Sequence, residues 1–259
     1  MLSLIALIIL ASPKPGEPAP EPPLPDGLET APWADLVVDQ CRDKLIAAGL
    51  TARHFRFSKD TRIRVRKAYP GAEPIYCHVP QATVMWAGPT RVQYYGFTVT
   101  SCAMALAITR MEHIAQEEAR RVFGRPADEN PVRALTHLGT FNCRTQRLKA
   151  KQSQHSFGNG LDLAGFSVRG YGEVLVQRHW TPHFKSWEKP SEFLHALVRR
   201  LREEEVFTNV LDPDWDALHW NHIHVDLAPL ARGEPSPALE RAKAMPSKVA
   251  GDLHMEPVP

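Results

Sequence analysis

The clearest hydrophobic periodicity in the chain lies between Ser101 and Gly124, where apolar residues recur at steps of three and four. This spacing places them on one face of a helix, with Ser101 as the N-cap and Gly124 as the end. The same pattern predicts a second amphipathic helix over residues 191–205 and another over 33–48, which Gly49 ends. We expect the apolar face of the 22-residue segment after Ser101 to pack against a sheet.

Stretches rich in Val, Tyr, Thr and Gly predict the strands of that sheet. Residues 63–99 are typical of short strands and turns. Four further strands are predicted at 137–144, 160–168, 172–180 and 222–228. Taken together, the pattern indicates one α+β domain over residues 33–230, with helices flanking a mainly antiparallel sheet.

The two ends of the chain differ in composition from this central part. Residues 2–11 are an unbroken apolar run, too short to span a bilayer but typical of a secretory signal. We interpret 1–12 as a signal peptide or, because no Lys or Arg precedes the run, as an uncleaved N-terminal anchor. Residues 13–32 form a proline-rich linker and 231–259 a flexible C-terminal tail. These features predict export to the periplasm, the cell envelope or the medium.

Charge and cysteine usage narrow the class of protein further. The net charge of +2, without a dense basic cluster, argues against nucleic acid as a partner. The four cysteines are Cys41, Cys77, Cys102 and Cys143, and none forms a C-x-x-C pair. In an exported protein an even number favours two disulfides. Of the three possible pairings we favour Cys41 with Cys77 and Cys102 with Cys143, since each then joins neighbouring segments.

Two segments concentrate the residues that carry chemistry. The first, SQHSFGNGLDLAGF at 153–166, separates His155 from Asp162 by a glycine-containing turn that lets the two side chains converge. The second is HWNHIHVD at 219–226. If its end is a strand, alternation places His222, His224 and Asp226 on one side.

This combination predicts a zinc site. Catalytic zinc is held by three His or carboxylate ligands, which His155, Asp162 and His224 would supply, and a fourth position stays open for water. His222 could accept the proton of that water or stabilise the tetrahedral intermediate, and His219 could help in either role. Either motif alone is more typical of structural hydrogen bonding. Both together favour a metal site.

The motifs also resemble those of a known family. FNCR before SQHSFGNGLDLAGF, followed by VFTNVLDP and HWNHIHVDL, is similar to the bacterial extensin-like C-terminal domain family. More widely, S-x-H-x-x-G-x-x-x-D followed by H-x-x-H-x-H resembles the superfamily of lysostaphin, D-Ala-D-Ala metallopeptidases and the hedgehog signalling domain. The resemblance covers most of residues 35–228.

What the resemblance implies is a zinc-dependent peptidase acting on peptidoglycan stem peptides or cross-links, as an endopeptidase or a D,D-carboxypeptidase. It assigns Zn2+ to His155, Asp162 and His224, and the catalytic role to His222. His219 completes a pattern similar to that of murein endopeptidases. Arg144 matches a substrate-binding arginine of some relatives, although a surface ion pair is an equal alternative for it.

The alternative function is a non-catalytic zinc-binding or cell-wall-binding domain of the same fold, as in the hedgehog branch. The sequence departs from the family pattern at Gln154, where Glu is frequent, and at Gly160, where Ala is frequent. Near Val206 it lacks an expected cysteine. None of these departures removes a predicted ligand, but they leave the bond that is cleaved open. A membrane would be contacted only through an uncleaved N-terminal segment.

Overall fold

The computed structural model describes residues 38–58, 64–67, 70, 74–79, 81–146, 151–180 and 188–228. The predicted signal or anchor, the proline-rich linker, the C-terminal tail and the predicted domain limits at 33 and 230 all lie outside these residues. Within the described residues, no helix has the length and apolarity needed to cross a membrane.

The described part of the chain contains ten strands, four α-helices and one 3-10 helix. In chain order they are α1 (Val38–Ala47), β1 (Phe55–Phe57), β2 (Arg64–Arg66), β3 (Ile75–Cys77), β4 (Thr83–Ala87), β5 (Gln93–Thr100), α2 (Cys102–Phe123), β6 (Val132–Gly139), the 3-10 helix (Gln154–Phe157), β7 (Gly160–Val168), β8 (Gly172–Leu175), α3 (Val176–His179), α4 (Lys189–Glu203), β9 (Asn209–Leu211) and β10 (Ile223–Asp226).

Eight of these strands form one sheet in the order β1-β4-β5-β6-β7-β10-β9, with β8 paired to β7. Every pair in it is antiparallel except β5 with β6, which run parallel because α2 crosses over between them. Strands β2 and β3 form a separate pair. The predicted α+β class and mainly antiparallel sheet are thereby confirmed.

Helix α2 begins and ends where its sequence predicts. The Ser101 side chain accepts a hydrogen bond from the Met104 amide at 3.2 Å, and Gly124 ends the helix at φ 64°. The apolar stripe, which includes Met104, Ile108 and Met111, is fully buried in one core with α4 and the sheet. Burial of each such side chain contributes about 1.5–3 kcal/mol, so this stripe fixes α2 on the sheet.

Strand β7 confirms the prediction for 160–168, whereas two other strand predictions hold only for their first residues. In the segment 137–144 only the first residues are strand, because β6 ends at Gly139 and the Thr140 carbonyl instead accepts a hydrogen bond from His155. In 172–180 the strand ends at Leu175 and a short helix follows. There the Leu175 amide donates to the His179 ring, a local bond that replaces strand pairing.

The predicted disulfide pairing was also wrong. Cys41 is bonded to Cys102, and Cys77 to Cys143, with Cα separations of 5.9 and 5.5 Å. The prediction assumed that each disulfide joins segments that are neighbours in the chain, and the observed pairs do not follow that rule. The packing of α1 against the start of α2 brings the first pair together, and β3 lies beside the segment that follows β6. The prediction of two disulfides is confirmed.

Candidate metal centre

Three elements converge on one point of the sheet. Asp162 of β7 and His224 of β10 are direct partners in an antiparallel pair, so their side chains project from the same face. His155 reaches them from the 3-10 helix, which ends at Gly158 with φ 61°. A Cβ at Gly158 would come within 3.1 Å of the backbone that begins α2, so only glycine lets this turn pack closely.

The side chains meet through three ligand atoms. Asp162 Oδ1 lies 3.1 Å from His155 Nε2 and 2.8 Å from His224 Nδ1, and the two ring nitrogens are 3.2 Å apart. Among the described residues, His155, Asp162 and His224 form a group that can hold a metal ion. The geometry therefore brings together the three residues that the sequence predicts as ligands.

The remaining atoms of both histidines are fixed by partners behind the site. His155, only 1 % exposed, donates from Nδ1 to the Thr140 carbonyl at 2.7 Å. His224 donates from Nε2 to Asp226 Oδ2 at 2.9 Å. Asp226 is in turn held through Oδ1 by the Asn209 side chain. Such partners set the tautomer so that the other ring nitrogen is the one available to a metal ion.

Electrostatics within the group favour a negative Asp162. Burial opposes its ionisation, but hydrogen bonds from His155 and His224 hold the pKa of Asp162 well below its usual range. Burial also opposes the charged form of His224 and so acts to lower its pKa. Hydrogen bonds to Asp162 and Asp226 outweigh this effect and raise the pKa of His224 to about 9. The pair of carboxylates thus stabilises a positive charge at this position, whether a proton or a metal ion carries it.

The three atoms fit zinc in number, type and spacing. Tetrahedral bonds of about 2.1 Å would place ligand atoms about 3.4 Å apart. The separations of 2.8, 3.1 and 3.2 Å need to widen by about 0.2–0.6 Å to reach this value. Two neutral imidazoles and a carboxylate are a donor set that zinc prefers.

Two further histidines, His219 and His222, lie beside the three candidate ligands. His222 Nε2 is 3.5 Å from Asp162 Oδ1, and its Nδ1 hydrogen-bonds the Asn221 side chain at 2.8 Å. His219 donates from Nδ1 to Asp216 at 2.7 Å, and its ring centroid is 5.1 Å from that of His222. The structure therefore brings both predicted catalytic histidines to the site.

Comparison with known proteins decides the family. Residues 50–234 match the family model described as extensin-like protein C-terminus. The chain belongs to this family. No curated protein and no solved structure gives a significant match. The resemblance that the motifs around His155 and His224 indicate is thus confirmed at the level of the family.

In this extensin-like domain Arg144 is tied to the ligand loop by its main chain. Its amide donates to Ser156 Oγ at 3.0 Å, and its carbonyl accepts from the Ser153 amide at 3.0 Å. Its guanidinium has no hydrogen bond or ion pair within the described residues. A surface ion pair is therefore not what holds this side chain in the part of the chain that the structure describes.

Several residues that support the site escaped prediction. Alternation placed Asp226 on the face of His224, and that signal could have identified it as the hydrogen-bond partner. Thr140 acts through its carbonyl, which every residue possesses, so no sequence signal marks it. Asn209 and Asp216 reach the site only through the fold of their strands and turns.

Proposed function

We propose that this extensin-like domain is a zinc-dependent peptidase that acts on the stem peptides or cross-links of peptidoglycan. The observation that carries the proposal is the convergence of His155 Nε2, Asp162 Oδ1 and His224 Nδ1 within 3.2 Å, with His222 beside them. When bound, zinc supplies a Lewis acid that polarises a peptide carbonyl and lowers the pKa of water to about 7.

His222 is the residue best placed to move the proton. Its Nδ1 is engaged with Asn221, which leaves Nε2 as the basic atom facing Asp162. Burial, more than any other influence, lowers the pKa of His222 below its ordinary value. A neutral imidazole at neutral pH accepts a proton from the attacking water and returns it to the leaving amine. His219, which Asp216 orients, lies next to His222 and can stabilise charge on the substrate.

Two features favour an enzyme over the non-catalytic alternative. A structural zinc site normally has four protein ligands, whereas the group among the described residues has three. His219 and His222 also lie beside the ligands without completing the group, as expected for groups that act on a substrate.

The substrate class rests on chemistry and compartment. The Arg144 guanidinium, which has no ion pair with any described residue, suits a peptide carbonyl or the free carboxylate of a D-Ala terminus. The two disulfides agree with the oxidising compartment that export predicts. Peptidoglycan, whose glycan strands carry and are cross-linked by short peptides, lies in the compartment to which bacterial export leads.

Release of peptides from purified peptidoglycan tests the proposal. We expect the zinc-loaded protein to release muropeptides and His222→Ala to lower the rate at least a hundredfold, because general acid–base catalysis contributes about 10²–10⁴-fold. His113→Ala is the matched control, since His113 lies on α2 outside the group. No release by the loaded wild type, from peptidoglycan or from synthetic stem peptides, would overturn the proposal.

A further inference from the structure

A concave surface lies between α4 and the turn that follows β9. It is a cleft of about 800 Å³, and its lining includes the indoles of Trp180 and Trp215. Trp180 is stacked on His195, with ring centroids 3.9 Å apart, whereas Trp215 is 65 % exposed. An indole that offers an open face in a cleft is a platform for a flat apolar surface of a ligand.

The charged groups of the cleft divide into paired and unpaired ones. Two ion pairs are internal, Arg121 with Glu192 at 2.8 Å and Arg202 with Asp212 at 2.7 Å. Arg199, Glu203 and Asp214 also line the cleft, and no ion pair holds their side chains within the described residues. One free donor group and two free acceptor groups suit an uncharged ligand that carries both hydroxyls and amides. A strongly anionic ligand would meet the two free carboxylates.

The chain runs from the cleft to His219 through residues 212–219. The amides of Asp214 and Trp215 both donate to Asp212, which Arg202 of α4 anchors. The next residue after Trp215 is Asp216, whose carboxylate orients His219. A ligand on the Trp215 indole therefore lies four residues along the chain from His219.

We propose that this cleft binds the glycan part of peptidoglycan, a strand of N-acetylated amino sugars. The inference rests on the proposed function and names the part of the substrate that the metal centre does not contact. Sugar rings present a flat C–H face to an indole and hydroxyl and acetamido groups to Arg199, Glu203 and Asp214. Stem peptides are attached to the sugars of the strand, so a strand held on Trp215 places its stems beside the segment that leads to His219.

The experiment measures binding of glycan without peptide, by calorimetry with β-1,4-linked N-acetylglucosamine tetramer and by co-sedimentation with glycan strands stripped of their stems. We expect wild type to bind both and Trp215→Ala to weaken binding roughly tenfold. Glu203→Gln is the second variant, with a loss of about threefold. The matched control is Trp220→Ala, which removes an indole that is 55 % exposed on the same segment but does not line the cleft. It should bind as wild type does.

This result can fail independently of the peptidase proposal, because His224→Ala should lose metal and retain glycan binding. Muropeptide release without glycan binding would overturn the inference and leave the peptidase standing. Glycan binding that Trp215→Ala does not weaken would also overturn it. So would binding confined to acidic polymers and abolished by Arg199→Ala alone, which would indicate an anion site.

Discussion

At the scale of single residues, the candidate metal centre depends on atoms behind the ligands as much as on the ligands. His224 can turn Nδ1 toward a metal only while Nε2 has an acceptor, and Asp226 Oδ2 is that acceptor at 2.9 Å. Asp226 keeps its own orientation through Asn209 and through the Ala228 amide, which both donate to Oδ1. The ligand geometry is thus fixed before any ion binds.

The variant Asp226→Asn tests this dependence. An amide NH2 in place of Oδ2 cannot accept the proton of His224, and we expect zinc affinity to fall about 10- to 100-fold. Competition with a chromophoric chelator measures the affinity. The control is Asp214→Asn, which makes the same change at an exposed position and should leave the zinc affinity unchanged. Equal affinity in Asp226→Asn and wild type would show that the hydrogen bond does not support the ligand.

At the scale of elements, the sequence predicted those helices and strands whose limits depend on interactions between residues close together in the chain. Helix α2 and strand β7 match their predictions because capping, periodicity and alternation act within each segment. The strand predicted over 137–144 ends at Gly139, because the Thr140 carbonyl accepts a hydrogen bond from His155, a partner distant in the chain. The candidate ligands were predictable for a related reason. Their residue types and the spacing within each of the two motifs are local, whereas Thr140 and Asn209, which help to orient them, lie elsewhere in the chain.

Helix α2 is also joined to the turn after β4 by a buried carboxylate. Glu112, only 1 % exposed, accepts hydrogen bonds from the Thr90 amide and hydroxyl and from the Tyr94 hydroxyl at 2.7 Å. Burial raises the pKa of Glu112 above its ordinary value of 4.5, despite these bonds. The folded protein therefore binds a proton at this carboxyl more tightly than the unfolded chain does.

The stability of this junction should fall as pH rises. Above the unfolded pKa the folded state holds the extra proton, so the contribution of Glu112 is complete at low pH and disappears as pH passes through the raised pKa. Relative to Glu112→Gln, wild type should lose free energy of unfolding with a slope of up to about 1.4 kcal/mol per pH unit. Urea unfolding from pH 4 upward measures the difference. Glu173→Gln is the control, because it removes a carboxylate at an exposed position of β8 and should not show this pH dependence. A pH-independent difference for Glu112→Gln would contradict the prediction.

At the scale of the whole molecule, the disulfides join segments that the sequence alone could not place together. Each closes a loop of more than sixty residues, with sequence separations of 61 and 66. Cys143 lies in the segment that holds His155 through the Thr140 carbonyl and the Asn142 amide. Four cysteines predict two bridges, but only the packing of helices and strands selects the partners.

Removing the bridges one at a time distinguishes their roles. We expect Cys77→Ala/Cys143→Ala and Cys41→Ala/Cys102→Ala each to lower the free energy of unfolding by about 2–4 kcal/mol, measured by urea unfolding. Zinc affinity should fall more in the first variant, because Cys143 lies in the segment whose Thr140 and Asn142 main-chain groups hydrogen-bond His155 directly. Equal zinc affinities would contradict this assignment, and digestion without reductant checks the pairing itself.

The most direct test of the metal centre is the metal content of the purified protein after loading with zinc and removal of excess. Mass spectrometry of the elements should find about one zinc per chain in wild type and in His222→Ala, and less than a tenth of that in His224→Ala. This pattern would establish His224 as a ligand and His222 as a residue that acts beside the ion. Wild-type protein without bound zinc, or His224→Ala with a full complement, would contradict the account.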